Sequence, residues 1–304
     1  MIGKENTDNG YPSDFKSFYK TVGGNEGNKC NYPTRLDLYG KGCYHDCSYC
    51  YAKSLLAFRK LWNADHPAMA DIGKVIRTIG KIPSGSIVRL GGMTDCFQPL
   101  EYMYHTAYKA IEELNRRKIG YLIVTKSSMV ADDWYIRLMD RKLAHIQISI
   151  TTTDDNLSRT YERACVPSLR IKAIEKLQEQ GFDISLRLSP FIPQYIDFTK
   201  LNGIRCDKIL VEFLRVNTWI KQWFNIDYSE YSEPERLSTF TAWTENQVSC
   251  TDYGFQPVDS LRRCYRTLWI LEGTRKSESV GLLQFVQITS VDVVSLYVSH
   301  GTLR

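Results

Sequence analysis

Three cysteines fall within eight residues, Cys43, Cys47 and Cys50, in the run KGCYHDCSYCYA. Thiolates at Cys-x3-Cys-x2-Cys spacing can hold three corners of a cubane iron–sulfur cluster, whereas a fully protein-ligated cluster takes four cysteines. Three leave one iron open, and an open metal position is where chemistry happens rather than where a fold is stapled. The competing reading is a structural zinc site with His45 or a distant residue as fourth ligand. Structural zinc more often draws on close cysteine pairs, one upstream and one downstream. Here Cys250 and Cys264 have thirteen residues between them, and neither has a close partner in the sequence. The spacing favours a cluster.

Further side chains that could serve such a centre follow in order. Gly91-Gly92-Met93-Thr94-Asp95 ends a predicted strand; glycines there let the backbone come close to a ligand, although the same residues could form a turn and helix cap. Lys126 follows the next strand and could pair with a carboxylate. Ser149 lies within another. Arg187 sits between Leu186 and Leu188, so strand alternation turns it away from the core. An inward arginine needs an anion, either a ligand or Glu212. His45, Asp46, Tyr51, Gln98 and Glu101 lie on the first two loops.

The cysteine run, with Tyr49 before its third cysteine, resembles the radical S-adenosylmethionine (radical SAM) superfamily. The segments GGMTDCFQPLE, LIVTKSS, ISITTTD and LRLSPFIP, in that order, resemble its spore photoproduct lyase-like branch. The resemblance covers roughly residues 34–216. It implies a 4Fe-4S cluster on Cys43, Cys47 and Cys50, with S-adenosyl-L-methionine (SAM) on the open iron. It implies reductive cleavage of SAM to a 5′-deoxyadenosyl radical that takes hydrogen from a substrate. Tyr49, Gly91, Gly92, Met93, Thr94, Asp95, Lys126, Ser149 and Arg187 would bind the cofactor. A reductase or flavodoxin-type protein would supply the electron. The branch's hydrogen-donating cysteine aligns with Gly92, with Cys96 nearby, and Tyr51 matches a tyrosine that relays hydrogen. The implied substrate is a nucleobase in DNA, most plausibly thymine-derived, for isomerisation, modification or lyase chemistry. A peptide or small metabolite is the alternative substrate, and a zinc-stabilised nucleic-acid-binding module the alternative class.

Composition bounds these readings. With 304 residues and 43% apolar content the chain is globular in character. No apolar run approaches the roughly 18 residues that span a bilayer, and the polar N-terminus lacks a signal core. Nine cysteines, an odd number with three packed together, do not form a secreted disulfide framework. A cytoplasmic protein without a membrane partner is expected. The net charge of +5 permits an anionic partner without demanding one. Basic residues at 116–118, at Arg137, Arg141 and Lys142, at Arg159, Arg163 and Arg170, and at Arg262, Arg263 and Arg266 could form a phosphate track.

The elements that must position these residues alternate. Strands are predicted over 34–38, 86–90, 119–124, 146–151, 184–188 and 208–214. Helices are predicted over 52–62, 68–80, 102–117, 130–142, 167–181 and 197–202. Six β units with intervening helices predict a parallel sheet, a partial (β/α)6 TIM-type barrel rather than the closed eight. Residues 1–33 read as an N-terminal tail packed on the domain edge, 34–216 as the barrel and 217–304 as a C-terminal extension of unknown fold. Within that extension, helices are predicted over 234–248 and 260–270 and strands over 282–298.

Overall fold

The structure is a computed structural model and describes residues 15–20, 34–57, 59–205, 209–214, 216–228, 267–273 and 283–289. In chain order, strand β1 (Phe18–Lys20) precedes β2 (Thr34–Leu36), the short β3 (Tyr39–Gly40) and helix α1 (Tyr51–Ala57). Next come β4 (Ala68–Met69), α2 (Ile72–Ile79), β5 (Ile87–Leu90), α3 (Glu101–Tyr104), α4 (Thr106–Arg116) and β6 (Gly120–Thr125). They are followed by α5 (Asp133–Leu138), β7 (Ala144–Ile150), α6 (Asp155–Arg159), α7 (Pro167–Glu179), β8 (Asp183–Phe191) and β9 (Ile209–Phe213). The remaining described elements are α8 (Thr218–Trp223), β10 (Thr267–Gly273) and β11 (Leu283–Thr289).

Strands β2, β5, β6, β7, β8 and β9 are parallel neighbours in that order, the six-stranded partial TIM-type barrel that the alternation predicts. Antiparallel β1 extends one edge, and β10 with β11 the other, giving nine strands. Alternation sorts the side chains. Ile146, Ile148 and Ile150 of β7 and Ile184, Leu186 and Leu188 of β8 belong to the core cluster, while Gln147, Ser149 and Arg187 take the other face. Helix α4 supplies Ala107, Ala110, Ile111 and Leu114 to that core at helical spacing. Helix α7 opens with Pro167 and is followed by Gly181 at φ +77°, the expected asymmetry.

Several elements differ from the sequence expectation for identifiable reasons. The predicted 68–80 helix begins only at Ile72, because Asp71 caps it by accepting from the Lys74 amide at 3.0 Å and Ala68–Met69 pair with β3. The helix over 102–117 breaks at His105, which is left-handed (φ 52°, ψ 38°). The predicted 52–62 helix ends at Ala57, and the one over 130–142 shortens to α5 behind a 3-10 turn, Ser128–Ala131. The 260–270 helix is overturned over its last residues: Thr267–Gly273 is a strand, its backbone paired antiparallel with the open edge of β9. Residues 234–248 lie outside the described residues. Helices α6 and α8 were not anticipated; Asp154 and Asn217 cap them, accepting from Leu157 and Ile220 amides at 3.0 and 2.9 Å. Among the described residues no helix is long and apolar enough to cross a membrane.

Candidate active site

A cavity opens at the C-terminal ends of the parallel strands, where ligands bind in such folds. Cys43, Cys47, Cys50, Tyr49 and Tyr51 line one side, and Gly91 to Asp95, Lys126, Ser149 and Arg187 line the rest. The fold thus brings these expected site residues together and leaves out Gln98, Glu101 and Cys96. That cysteine is 1% exposed and packs in the core with its neighbour Phe97, away from the cavity lining.

The cysteine loop turns through two positive-φ residues, Lys41 (φ 53°) just before it and Asp46 (φ 39°) between its first two cysteines. Gly42 has no room for a side chain: a Cβ there would stand 1.8 Å from the Asn63 carbonyl oxygen. Gly42→Ala must therefore push the 60s loop or Cys43 out of place. It should lower the melting temperature and cut iron uptake several-fold, while Gly85→Ala, strained only by its own φ of +79° with nothing within 4 Å of the new Cβ, loads iron as wild type. Equal iron per chain in the two variants would contradict this.

The donor set suits a cluster. All three cysteines are free thiols. Backbone N–H groups of His45 and Asp95 bond the Cys43 sulfur, and those of Ala52 and Lys53 the Cys50 sulfur, the latter at 3.4 Å. Burial pushes all three thiols up, so a bound cation would be needed to hold them as thiolates. Among the described residues no three histidine, cysteine or acidic side chains converge on a single metal ion. The fit to a cluster rests on the thiols, their N–H donors and the shared cavity.

Two carboxylates build the loop after β5. Asp37 accepts from the backbone N–H groups of Gly92, Met93 and Thr94 at 2.8, 3.0 and 3.3 Å. Burial nonetheless raises its pKa against those bonds and the charge of Arg89. Asp95 ties the loop to β6, accepting from the Thr125 hydroxyl at 2.8 Å and the Lys126 amide at 2.7 Å. Its side chain also lies 3.4 Å from His45 Nδ1. Asp95 therefore fixes the loop through these bonds. Gly91 has φ +81°, and a Cβ there would meet the Thr94 carbonyl at 2.9 Å. The Tyr51 hydroxyl donates to the Gly92 carbonyl.

Behind the cysteines lies a buried network that sequence reasoning missed. Glu162 pairs with Arg170, both side chains at most 1% exposed. The Tyr49 hydroxyl donates to Glu162, and the Cys47 sulfur lies 3.7 Å from the same carboxylate. Arg170 also donates to the Cys165 and Ser149 carbonyls at 2.6 and 3.0 Å. Burial works against the Glu162 charge, but Arg170, Lys126 and the Tyr49 bond outweigh it and hold the carboxyl below the usual range. Lys126 Nζ donates to the Ser189 carbonyl at 2.9 Å and sits 5.2 Å from the centre of the Tyr49 ring; burial lowers its pKa.

Other expectations resolve differently. Arg187 pairs with Glu212, which also accepts from the Ser189 hydroxyl at 2.9 Å. The arginine thus has a protein anion, although it still lines the cavity. Gln98 and Glu101 are buried outside the lining, whereas His45 and Asp46 belong to it. Of the basic track, Arg170 is wholly internal, Arg163 pairs with Asp46 and Asp65, and Arg116 and Arg117 pair with Glu113. Arg262, Arg263 and Arg266 lie outside the described residues. The start of the extension packs on the cysteine loop: Ile220 and Phe224 join Cys47, Tyr49 and Tyr161 in a second apolar cluster.

The sequence profile of the radical SAM superfamily matches residues 38–197, just over half of the chain. The chain belongs to the radical SAM superfamily. Membership implies an iron–sulfur cluster and SAM, and the cavity described above is where this chain would hold them. Two curated relatives are uncharacterised: ORF301 of Acidianus two-tailed virus, 24% identical over 164 residues, and MJ0683 of Methanocaldococcus jannaschii, 26% identical over 172 residues. The matches cover 50% and 53% of this chain, and the chain spans 54% and 62% of those relatives. Among solved structures, a spore photoproduct lyase mutant superposes with a TM-score of 0.53 at 15% identity, over 72% of this chain and 71% of the lyase. Another lyase structure, with bound AdoMet and dinucleoside spore photoproduct, gives 0.51 at 15% identity over 69% of each chain. At such identities the likeness is one of fold.

Proposed function

We propose that this radical SAM enzyme holds a 4Fe-4S cluster on Cys43, Cys47 and Cys50, binds SAM beside it, and acts on a thymine-derived nucleobase in DNA. The observation that carries the reading is the shared cavity, which gathers three free thiols, Lys126 and the Gly91–Asp95 loop at the strand ends. When bound, the cluster and SAM together supply a 5′-deoxyadenosyl radical able to take hydrogen from an unactivated carbon. The protein's own part is to bind and orient. The Gly91–Asp95 loop, held by Asp37 and Asp95, presents backbone groups to the methionyl end of SAM. Lys126 offers its ammonium to the carboxylate. Tyr49 and Tyr51 wall the cavity, and Arg89 and the Arg187–Glu212 pair add polar lining.

The lyase structures bound to dinucleoside spore photoproduct support a nucleobase as the substrate class. By the motif resemblance Gly92 takes the place of the branch's hydrogen-donating cysteine, and Cys96 is buried in the core. The missing cysteine favours rearrangement or modification over repair, with Tyr51, bonded to Gly92, as the residue assigned to relay hydrogen. A base in a duplex would have to be flipped out to reach this cavity.

The test uses anaerobically reconstituted protein with dithionite and SAM, with and without thymidine-containing DNA. About four irons per chain and 5′-deoxyadenosine that disappears in Cys47→Ala are expected, with deuterium moving from labelled DNA into that product. Zinc in place of iron would sink the cluster assignment. Cleavage that DNA neither stimulates nor labels would shift the substrate to a peptide or small metabolite.

A further inference from the structure

Glu162 is buried with Arg170 directly behind the cysteine loop, and its segment is tied to that loop on either side. The Ser48 amide donates to the Tyr161 carbonyl at 2.8 Å, and the Arg163 amide to the His45 carbonyl at 2.7 Å. Between those ties Glu162 faces Cys47. Its two oxygens divide their partners. Oε1 takes the Arg170 guanidinium, while Oε2 accepts from the Tyr49 hydroxyl and lies 3.7 Å from the Cys47 sulfur. The carboxylate, and not its counter-ion, is the group in contact with the sulfur. Its charge is also the leading one that pushes the Cys47 thiol up, after burial. Both side chains of the pair are at most 1% exposed, so solvent does little to screen them from the loop.

A charge held beside a ligand sulfur changes how readily a metal centre takes an electron. The potential of an iron–sulfur cluster follows net charge, hydrogen bonds to the sulfurs and exposure, and groups behind the ligands tune it. A ligated Cys47 has no proton to share with Glu162. The carboxylate then meets the sulfur as a bare negative charge and opposes the arrival of an electron. The Tyr49 hydroxyl draws off part of that charge, and the Thr151 hydroxyl, 3.1 Å from it, holds the tyrosine in place.

We propose that Glu162 is a positioning residue that acts through Cys47 to keep the cluster's reduction potential low, with Tyr49 as the donor that moderates it. The proposal rests on the reading that Cys43, Cys47 and Cys50 hold the cluster. The test is a potentiometric titration of the iron-loaded full chain without SAM, followed by the electron paramagnetic resonance signal of the reduced cluster. At the wild-type midpoint, Glu162→Gln should raise the ratio of reduced to oxidised cluster about tenfold, equal to about 59 mV for one electron. Tyr49→Phe should lower that ratio, because the carboxylate loses its donor. A rise of less than about threefold in Glu162→Gln overturns the proposal. So does a rise in both variants, which is what loosened packing alone would give. If Glu162→Gln does not load iron, the double variant Glu162→Met with Arg170→Met carries the test. Its ratio should still rise, since the charge against the sulfur is gone, and no rise overturns the proposal. Wild-type protein that binds no iron defeats the cluster assignment itself, and this proposal with it.

Discussion

Arg170→Met should destabilise the chain by about 3–5 kcal/mol, because it leaves the Glu162 carboxylate charged and buried without its cation. Both side chains are sealed from solvent, and no water can replace the guanidinium. Such a loss is a large share of the roughly 5–15 kcal/mol that holds a domain folded. In a protein of this size it lowers the melting temperature by on the order of 10 °C. The cluster loop suffers as well, since Glu162 holds Tyr49 and lies against Cys47. Urea unfolding of cluster-free protein measures the stability term, and iron per chain after reconstitution measures the loop. The double variant Glu162→Met with Arg170→Met should recover much of the loss, because removing both charges is far cheaper than stranding one. A single variant that costs less than about 1 kcal/mol, the range of an exposed pair, would show that the pair is solvated.

Glu101→Gln should be nearly as damaging, for a different reason. Its carboxylate is fully buried and accepts four hydrogen bonds: from the Tyr39 and Tyr135 hydroxyls at 2.7 and 2.6 Å, and from the Ala107 and Tyr108 amides at 2.9 and 3.0 Å. Those amides open α4, so the carboxylate caps that helix just after the chain reverses at His105. Glutamine offers one oxygen and turns an NH2 toward donors. The tyrosine hydroxyl there can turn to accept, but the backbone N–H beside it is stranded; the expected cost is about 2–4 kcal/mol, about 1–3 kcal/mol for the unsatisfied group and the rest for the charge-assisted bonds lost. Tyr39→Phe and Tyr135→Phe each remove one donor with its bond and should cost about 1 kcal/mol. Chemical denaturation of the three variants checks this ranking. A glutamine variant no weaker than the tyrosine variants would show that the charge on Glu101 is immaterial.

These two carboxylates mark where sequence reading ran out. Glu101 reads as one polar residue on a loop, and its four donors come from β3, α4 and α5, elements that only the fold brings together. Arg170 did leave a trace. It shares helical spacing with Ala173, Ile174 and Leu177, all buried on one face of α7, so a charge stood in an apolar stripe. That pattern says that Arg170 needs an anion, yet it cannot name Glu162, which lies in the irregular segment between α6 and α7.

The chemistry that depends on local spacing was legible in the residues alone. Cys43, Cys47 and Cys50 belong to one loop, so their spacing carries the metal reading without the fold. Hydrophobic alternation likewise carried the six parallel strands, because a two-residue period and a helical period leave distinct marks in a short window. Pairings across long separations were decided by tertiary structure. Arg187 met Glu212, Asp37 met the Gly92–Thr94 amides, and Cys96 turned into the core, each through contacts between segments far apart in the chain. Edges followed the same rule: β10 is a strand because β9 offers unpaired backbone groups, and no local propensity of residues 267–273 contains that fact.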